Sequence, residues 1–230
     1  MSTRYYSVPE FDTEYVSVTS VDILDKSNAL IPWAVGCAIR YIAKHKDELT
    51  GDITEDRVRE ILVEAKNAHR EVSEEAKDIG SRTHEAIELW LKGSKVTPTK
   101  DIEKPFYAFL EWATENNLEV IESEKTIYNH KERYAGTRDL KVRLNGKVYV
   151  IDLKTSKAFY EPSMPMQVAA YAECDKDVEG IGVLRLDKET GLPQFKDYTE
   201  KRAMYYDGFL KLKDLFYMFY AKKGLKTKPY

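Results

Sequence analysis

The stretch YAGTRDLKVRLNGKVYVIDLK, residues 134–154, predicts a β-hairpin that decides the fold. Asn145 and Gly146 lie between two runs of alternating apolar and polar residues. Asn-Gly in such a position is the strongest short-range signal of a two-residue turn between antiparallel strands. With that turn, Leu144 faces Lys147, and the register of the two strands is set along their whole length.

The predicted register places two carboxylates face to face, with Asp139 opposite Asp152. Like charges directly opposite on a sheet are destabilising, and a divalent cation between them would remove the repulsion. Carboxylate oxygens are hard ligands suited to Mg²⁺ or Mn²⁺. Lys154 lies on the same face, where an ammonium group can orient a water or stabilise charge on a phosphate. The opposite face is expected to be buried and carries Leu140, Val142, Leu144, Tyr149, Ile151 and Leu153.

The alternative to a metal site is an exposed hairpin whose Asp and Lys side chains are simply solvated. A bulge in either strand would also shift the register by one residue.

Helical patterns precede this hairpin and a second pair of strands follows it. Amphipathic spacing predicts helices in the first third of the chain, with Gly80 as a break before a helix over 81–92, and an extended arm over 1–18. Later elements are a helix over 101–117, a helix over 164–174, strands over 180–186 and 194–198, and a last helix to Lys223. The order predicts an α+β fold: one domain, 1–230, with a mainly helical part over 1–93 and a sheet-containing core over 94–230.

Composition limits the class of protein. The chain has 230 residues, of which 43% are hydrophobic and 33% charged, which excludes a disordered or fibrous chain. No apolar run approaches the ~20 residues of a membrane helix, and the N-terminus lacks the apolar stretch of a signal peptide. Cys37 and Cys174 are isolated from each other. These features predict a cytoplasmic protein without a disulfide framework or a membrane partner.

The net charge of −3 does not by itself suggest a nucleic-acid partner, but the charge is unevenly distributed. Residues 125–160 contain nine Lys/Arg and three Asp/Glu, and residues 201–230 contain eight and two. Two of the acids in the first segment are the predicted metal ligands. The Lys and Arg residues are therefore concentrated around the predicted site, where a phosphate backbone would lie.

Five motifs occur in the chain in one order: GSRTHEAIELWL (80–91), SE (123–124), YAGTRD (134–139), VIDLKTSK (150–157) and QVAAYA (167–172). Together they resemble the PD-(D/E)XK nuclease superfamily, in particular its RecB-like exonuclease branch. The opening SVTSVDILDKSNALIPWA (17–34) is similar to the start of phage-type exonucleases of that branch. Iron–sulfur members carry four clustered cysteines, so this chain, with two, is expected to hold no such cluster.

The resemblance implies a restriction-endonuclease-like core, a mixed sheet flanked by helices with a helical N-terminal annex. It implies one or two Mg²⁺ or Mn²⁺ ions and a role for each matching residue. The implied metal ligands are His84, Asp139, Asp152 and the carbonyl of Leu153, and the implied catalytic residues are Asp139, Asp152, Lys154, Glu124, Gln167 and Tyr171.

Four residues within or just after these motifs are expected to contact DNA: Thr137, Arg138, Lys157 and Tyr160. Basic side chains would bind phosphates, and an aromatic ring would stack on a base.

Each of these residues also has a plainer interpretation. His84 is compatible with an ordinary core or surface histidine, and Gln167 and Tyr171 with a helix face packed on the sheet. Glu122 competes with Glu124, because the two lie on the same strand face. The residues expected to contact DNA are compatible with a solvated charged surface.

The resulting hypothesis is a metal-dependent deoxyribonuclease. The resemblance favours an exonuclease acting on single strands or DNA ends in replication, recombination or repair, in a prokaryotic or phage-infected cytoplasm, and leaves room for a recombination or replication partner. The alternative is a catalytically idle nucleic-acid-binding or assembly module that retains the fold.

Overall fold

The computed structural model describes residues 3–21 and 23–222, with the side chains of residues 23–29 left aside. Asp22, within the opening motif, and Lys223, the predicted end of the last helix, lie outside the described residues. Within the described ranges, no helix combines the length and apolar character needed to cross a membrane.

The protein is α+β, with a mixed sheet flanked by helices, as predicted. In the described residues the α-helices are α1 (Val18–Val21), α2 (Ile23–Lys44), α3 (Glu55–Leu91), α4 (Glu103–Glu115), α5 (Ser163–Ala172) and α6 (Arg202–Phe219). The strands are β1 (Tyr5–Val8), β2 (Thr13–Ser17), β3 (Glu119–Asn129), β4 (Tyr134–Leu144), β5 (Lys147–Lys154), β6 (Gly180–Leu186) and β7 (Pro193–Asp197).

The strand order in the sheet is β1-β2-β4-β5-β6-β7, with β3 paired to β4. The β2–β4 and β5–β6 pairs are parallel, and the other pairs are antiparallel. One edge of β4 is shared, because Tyr134 and Ala135 pair with β2 whereas Leu140 to Leu144 pair with β5. Asp139 lies in the interval between these two ladders.

The β4–β5 hairpin has the predicted turn, and it has the predicted register from Leu144–Lys147 as far as Leu140–Ile151. Asn145 and Gly146 both have positive φ, 51° and 79°, which is the backbone of a type I′ turn. Leu144 pairs with Lys147, and the ladder continues to Leu140 and Ile151.

Both faces of the central strands are buried, whereas the sequence predicted one buried face. On one face Val148 and Val150 pack in a core with residues of α5 and α6, such as Val168 and Phe209. The other face is buried too, and Ile151 is fully inaccessible to solvent. This burial is typical of a strand between two layers of helices rather than of a half-exposed hairpin.

Two local predictions within residues 1–93 were wrong. Residues 5–17, expected to be an extended arm, form β1 and β2 and join the sheet. The helices expected on either side of Gly80 are one continuous helix, α3, because the cost of a single helical glycine, about 1 kcal/mol, is small beside the packing of a long helix. The chain forms two compact units, residues 1–25 with 82–230, and residues 26–81.

The smaller unit consists of most of α2 and the first part of α3. The Tyr41 hydroxyl donates a hydrogen bond to Glu64 at 2.8 Å, and the Trp33 ring packs edge-on against His69. These contacts occur in opposite order along the two helices, which are therefore antiparallel.

Candidate metal centre

Three side chains from different elements meet in the larger unit: His84 of α3, Glu124 of β3 and Asp139 of β4. One potential ligand atom from each lies within 4.8 Å of the others. His84 Nδ1 is 3.3 Å from Glu124 Oε1 and 3.7 Å from Asp139 Oδ1. His84 Nε2 is 3.2 Å from the carbonyl oxygen of Leu153. The His84 ring is therefore surrounded by two carboxylates at Nδ1 and by the Leu153 carbonyl at Nε2.

The carboxylates beside His84 favour its protonated form. Burial by itself would lower its pKa, but the nearby carboxylates of Asp139 and Glu124 outweigh burial and raise the pKa of His84 to about 9. The imidazolium donates from both ring nitrogens and partly offsets the charge of the two carboxylates.

Asp139 does not pair with Asp152 as the sequence predicted. The ladder ends at Leu140–Ile151, and Asp139 Oδ2 instead accepts a hydrogen bond from the backbone N–H of Leu153 at 2.7 Å. This side-chain bond occupies a donor that the strand ladder no longer satisfies.

The alternation of β4 is interrupted at this point. Arg138 and Lys141 both contact Asp175, although side chains three residues apart in a regular strand point to opposite faces. On the neighbouring strand, Glu124 has a left-handed φ of 46°, which is uncommon for a residue with a side chain. The irregularity turns the Asp139 carboxylate toward His84.

Asp152 forms a second, adjoining arrangement with Lys154. Its carboxylate is almost completely buried, and the Lys154 ammonium lies 2.5 Å from Oδ2. Burial raises the pKa of Asp152, the ammonium of Lys154 opposes that rise, and the charge of Asp139 adds to it.

Gln167 and Tyr171 of α5 hold Asp152 from the other side. Gln167 Nε2 donates to Asp152 Oδ1 at 3.0 Å and to the Tyr171 hydroxyl at 3.1 Å. Both side chains are buried, so the helix is packed on the sheet and its polar residues also reach the site. Packing of this helix face on the sheet and participation of Gln167 and Tyr171 in the site are therefore compatible.

Gly136 explains why Tyr171 can lie so close to β4. A Cβ atom at residue 136 would stand 2.5 Å from Tyr171 Cε1, well inside van der Waals contact. The glycine of the YAGTRD motif therefore leaves room for the ring that carries the hydrogen bonds to Gln167.

We expect Gly136→Ala to destabilise the protein by about 1–3 kcal/mol, the usual cost of overpacking a core. The measurement is the free energy of unfolding in urea. Gly36→Ala is the matched control, because its Cβ would meet only Arg40 Nη1 at 3.4 Å and alanine favours a helix. Equal stability of Gly136→Ala and the unchanged protein would contradict the role assigned to this glycine.

The residues expected to contact DNA have different surroundings. Lys157 and Tyr160 are exposed, and Lys157 forms an ion pair with Glu189 at 2.9 Å. Thr137 is partly buried and its hydroxyl is 3.2 Å from that of Tyr6.

The structure contradicts the predicted contact between Arg138 and a phosphate. Its side chain is 1% exposed and forms ion pairs with Glu122 and, at 2.6 Å, with Asp175. A guanidinium enclosed by two carboxylates cannot reach a bound strand, so the prediction for this residue is corrected to a structural role. The structure also distinguishes the two competing glutamates. The Glu122 carboxylate binds Arg138 and Lys125, whereas Glu124 faces His84.

Replacing Arg138 with methionine should cost about 3 kcal/mol, the lower end of the range for a broken buried ion pair, because its partners are partly exposed. Burial tends to raise the pKa values of Glu122 and Asp175, but the basic groups beside them outweigh it and lower both. The two carboxylates therefore stabilise the fold fully above about pH 4–5, where they are ionised in the unfolded chain as well. This stabilisation is lost as the pH falls through their lowered pKa values in the folded protein.

The difference in unfolding free energy between Arg138→Met and the unchanged protein should therefore shrink on acidification. Thermal unfolding at about pH 7 and about pH 3 measures it. A difference that stays constant would show that the pairing of Arg138 with the carboxylates does not stabilise the fold.

Arg185 is a site-adjacent residue that the sequence interpretation missed. It is buried in β6 beside Lys154, and its Nη1 donates to the carbonyls of Ser156 and Lys157 at 3.2 and 3.1 Å. The guanidinium therefore fixes the backbone that follows Lys154. An arginine inside the apolar run GIGVLRL (180–186) is the signal that could have revealed it, since a buried charge requires partners.

Comparisons with known proteins add little to this geometry. No family model matches the chain, and no curated protein matches its sequence. Among solved structures, the crystal structure of SSO0001 is similar with a TM-score of 0.37 and 18% identity, over 82% of this chain and 74% of that one. A likeness at this level carries no inference about fold or function.

Proposed function

We propose that the protein is a metal-dependent DNA nuclease. The observation that carries the proposal is the meeting of His84, Glu124 and Asp139 beside the buried Asp152–Lys154 ion pair. Carboxylates that converge on one point, with a lysine next to them, are suited to hold a divalent cation and to stabilise charge on a phosphate.

The arrangement of elements supports a restriction-endonuclease-like core of the PD-(D/E)XK type. The two aspartates come from adjacent antiparallel strands, Lys154 follows Asp152 on β5, and Gln167 approaches from a helix across the sheet. The chain order of these elements is that of the motifs that resemble the RecB-like branch.

The residues present fit Mg²⁺ or Mn²⁺. The donor set combines carboxylate oxygens, the Leu153 carbonyl and one imidazole, and Mn²⁺ accepts nitrogen together with oxygen ligands. The buried Asp152 carboxylate, which lies beside the Lys154 ammonium, is a further fitting donor. His84, Glu124, Asp139, Asp152 and Leu153 would hold one or two ions, which supply a water of lowered pKa and offset charge on the phosphate.

Side chains near the metal ligands would have separate roles in the proposed reaction. The Lys154 side chain is 25% exposed and its ammonium lies beside Asp152, where it would stabilise charge on a phosphate oxygen or orient an attacking water. Gln167 keeps Asp152 in position through a direct hydrogen bond, and the Tyr171 hydroxyl accepts a hydrogen bond from the same Gln167 amide. Exposed Lys157 and Tyr160 lie just beyond Lys154 in the chain, where they would contact the strand.

Within this proposal the substrate is DNA with a free end or in single-stranded form, cut as an exonuclease would cut it. The enzyme would act in the cytoplasm in replication, recombination or repair, alone or with a protein partner of those processes. The competing function is an idle nucleic-acid-binding module with the same fold.

Digestion of end-labelled linear DNA and of circular single-stranded DNA, each with Mg²⁺ or Mn²⁺, tests the function. We expect metal-dependent shortening of linear strands from an end and intact circles. Rapid cutting of circles would overturn the exonuclease assignment. Inertness toward every DNA in both metals would favour the binding module.

A further inference from the structure

A row of aromatic rings lies next to the metal centre at the end of β3. Along β3, Ile127 and Asn129 are buried, whereas Thr126, Tyr128 and His130 are exposed. The rings of Tyr128 and His130 are parallel within 8°, with centroids 5.9 Å apart.

The partly buried ring of Tyr6 on β1 and the exposed ring of Phe11, in the turn between β1 and β2, widen this row. The Phe11 ring, 56% exposed, is 5.5 Å from His130, and the Tyr6 ring meets Tyr128 edge-on at 6.4 Å. The Arg4 guanidinium lies 4.7 Å above the Tyr6 ring. We call the rings of Tyr6, Phe11, Tyr128 and His130 the aromatic platform.

The platform adjoins the metal centre along the β3–β4 pair. Thr126 pairs with Thr137, whose hydroxyl is 3.2 Å from that of Tyr6. Glu124 lies two residues before Thr126, and Tyr128 two residues after it. Four residues of strand span about 13 Å, or roughly four stacked nucleotides at 3.4 Å each.

Charge near the platform is mixed rather than strongly basic. Attraction of phosphates therefore contributes little, and the rings must supply the binding. In residues 4–12 and 126–133, which carry the platform, the basic residues are Arg4, Lys131 and Arg133, and the acidic residues are Glu10, Asp12 and Glu132.

We propose that unpaired bases of a single-stranded nucleic acid stack on the aromatic platform while the strand passes through the metal centre. This inference rests on the proposed nuclease function and specifies its substrate. Exposed aromatic faces bind bases of any sequence, whereas the bases of a duplex are already stacked on each other and present no free face. The platform would thus select unpaired strands a few nucleotides from the point of cleavage.

The test measures binding in EDTA, so that cleavage does not enter. Fluorescence anisotropy compares a labelled oligothymidylate with an abasic strand of the same length, for the unchanged protein and for Tyr128→Ala. We expect Tyr128→Ala to bind oligothymidylate about tenfold more weakly or worse, as loss of one stacked base predicts. Its affinity for the abasic strand should be unchanged.

Two variants serve as controls. Tyr107→Ala removes a tyrosine that is 51% exposed on α4, away from the platform, and should leave both affinities unchanged. Tyr128→Phe keeps the ring and should bind as the unchanged protein does. Thermal unfolding of each variant identifies any loss of fold.

Unchanged affinity of Tyr128→Ala for oligothymidylate would overturn the inference, as would an equal loss on the abasic strand or on a blunt duplex. Oligouridylate distinguishes RNA from DNA, and a loss on either unpaired strand supports stacking. Base-dependent binding by a protein that cuts no DNA would contradict the nuclease proposal and leave this inference standing.

Discussion

Lys154→Ala should lower the rate of phosphodiester hydrolysis by about 10²–10³-fold, the usual effect of removing one group that stabilises transition-state charge. The Lys154 ammonium lies 2.5 Å from the Asp152 carboxylate, and its side chain is 25% exposed, so in the proposed reaction it would stabilise charge on the phosphate. The measurement is the single-turnover rate on end-labelled linear DNA with saturating Mn²⁺.

The control must separate lost chemistry from a damaged fold, because Lys154→Ala leaves the buried Asp152 carboxylate without its counter-charge. Lys154→Arg retains the charge with a different geometry, so it should keep the stability while losing most of the rate. Lys211→Ala removes a lysine that is 75% exposed and paired with Asp207, and should be neutral. A Lys154→Ala protein that cuts as fast as the unchanged one would exclude Lys154 from the reaction.

Local sequence signals predicted the central hairpin because its turn and its alternation depend on neighbouring residues. Asn145-Gly146 requires positive φ at both positions, and few other turns satisfy the twist of the strands. The resulting register was correct from Leu144–Lys147 to Leu140–Ile151. The strand bounds of β6 were also predicted, since GIGVLRL is a continuous apolar run between turn residues.

The position of Asp139 could not be predicted in the same way, because it depends on three strands at once. β4 pairs with β2 before this residue and with β5 after it, and the left-handed Glu124 accompanies the change of face. None of these features leaves a periodic signal in the sequence. An extrapolated register therefore placed Asp139 opposite Asp152, whereas it lies beside His84.

Arg138 illustrates a different limit. Basic residues next to a predicted phosphate site are expected to bind phosphate, but charge alone does not reveal burial. Its partners Glu122 and Asp175 lie 16 and 37 residues away along the chain, and only the tertiary fold brings them together. The N-terminal strands were missed for the same reason, since β2 gains its partner from β4, more than a hundred residues later.

Asp139→Asn should abolish tight Mn²⁺ binding while leaving the metal-free fold almost intact. The asparagine side-chain oxygen can still accept the hydrogen bond from the Leu153 N–H that Asp139 Oδ2 accepts at 2.7 Å, so the strands keep their connection. The negative charge next to His84 is lost, and with it a hard anionic donor. We expect affinity for Mn²⁺ to fall by more than the roughly 10–100-fold that accompanies loss of an outer partner of a metal ligand.

Two measurements distinguish this outcome from a general effect of charge. Calorimetric titration gives the affinity directly, and thermal unfolding gives the stabilisation by metal, about 2.7 kcal/mol when Mn²⁺ is at 100 times its dissociation constant. Asp177→Asn is the control, since Asp177 is 62% exposed and binds Lys141 outside the centre. Equal stabilisation of Asp139→Asn and Asp177→Asn by Mn²⁺ would place the ion elsewhere, because only Asp139 contributes a ligand atom to the group formed with His84 and Glu124.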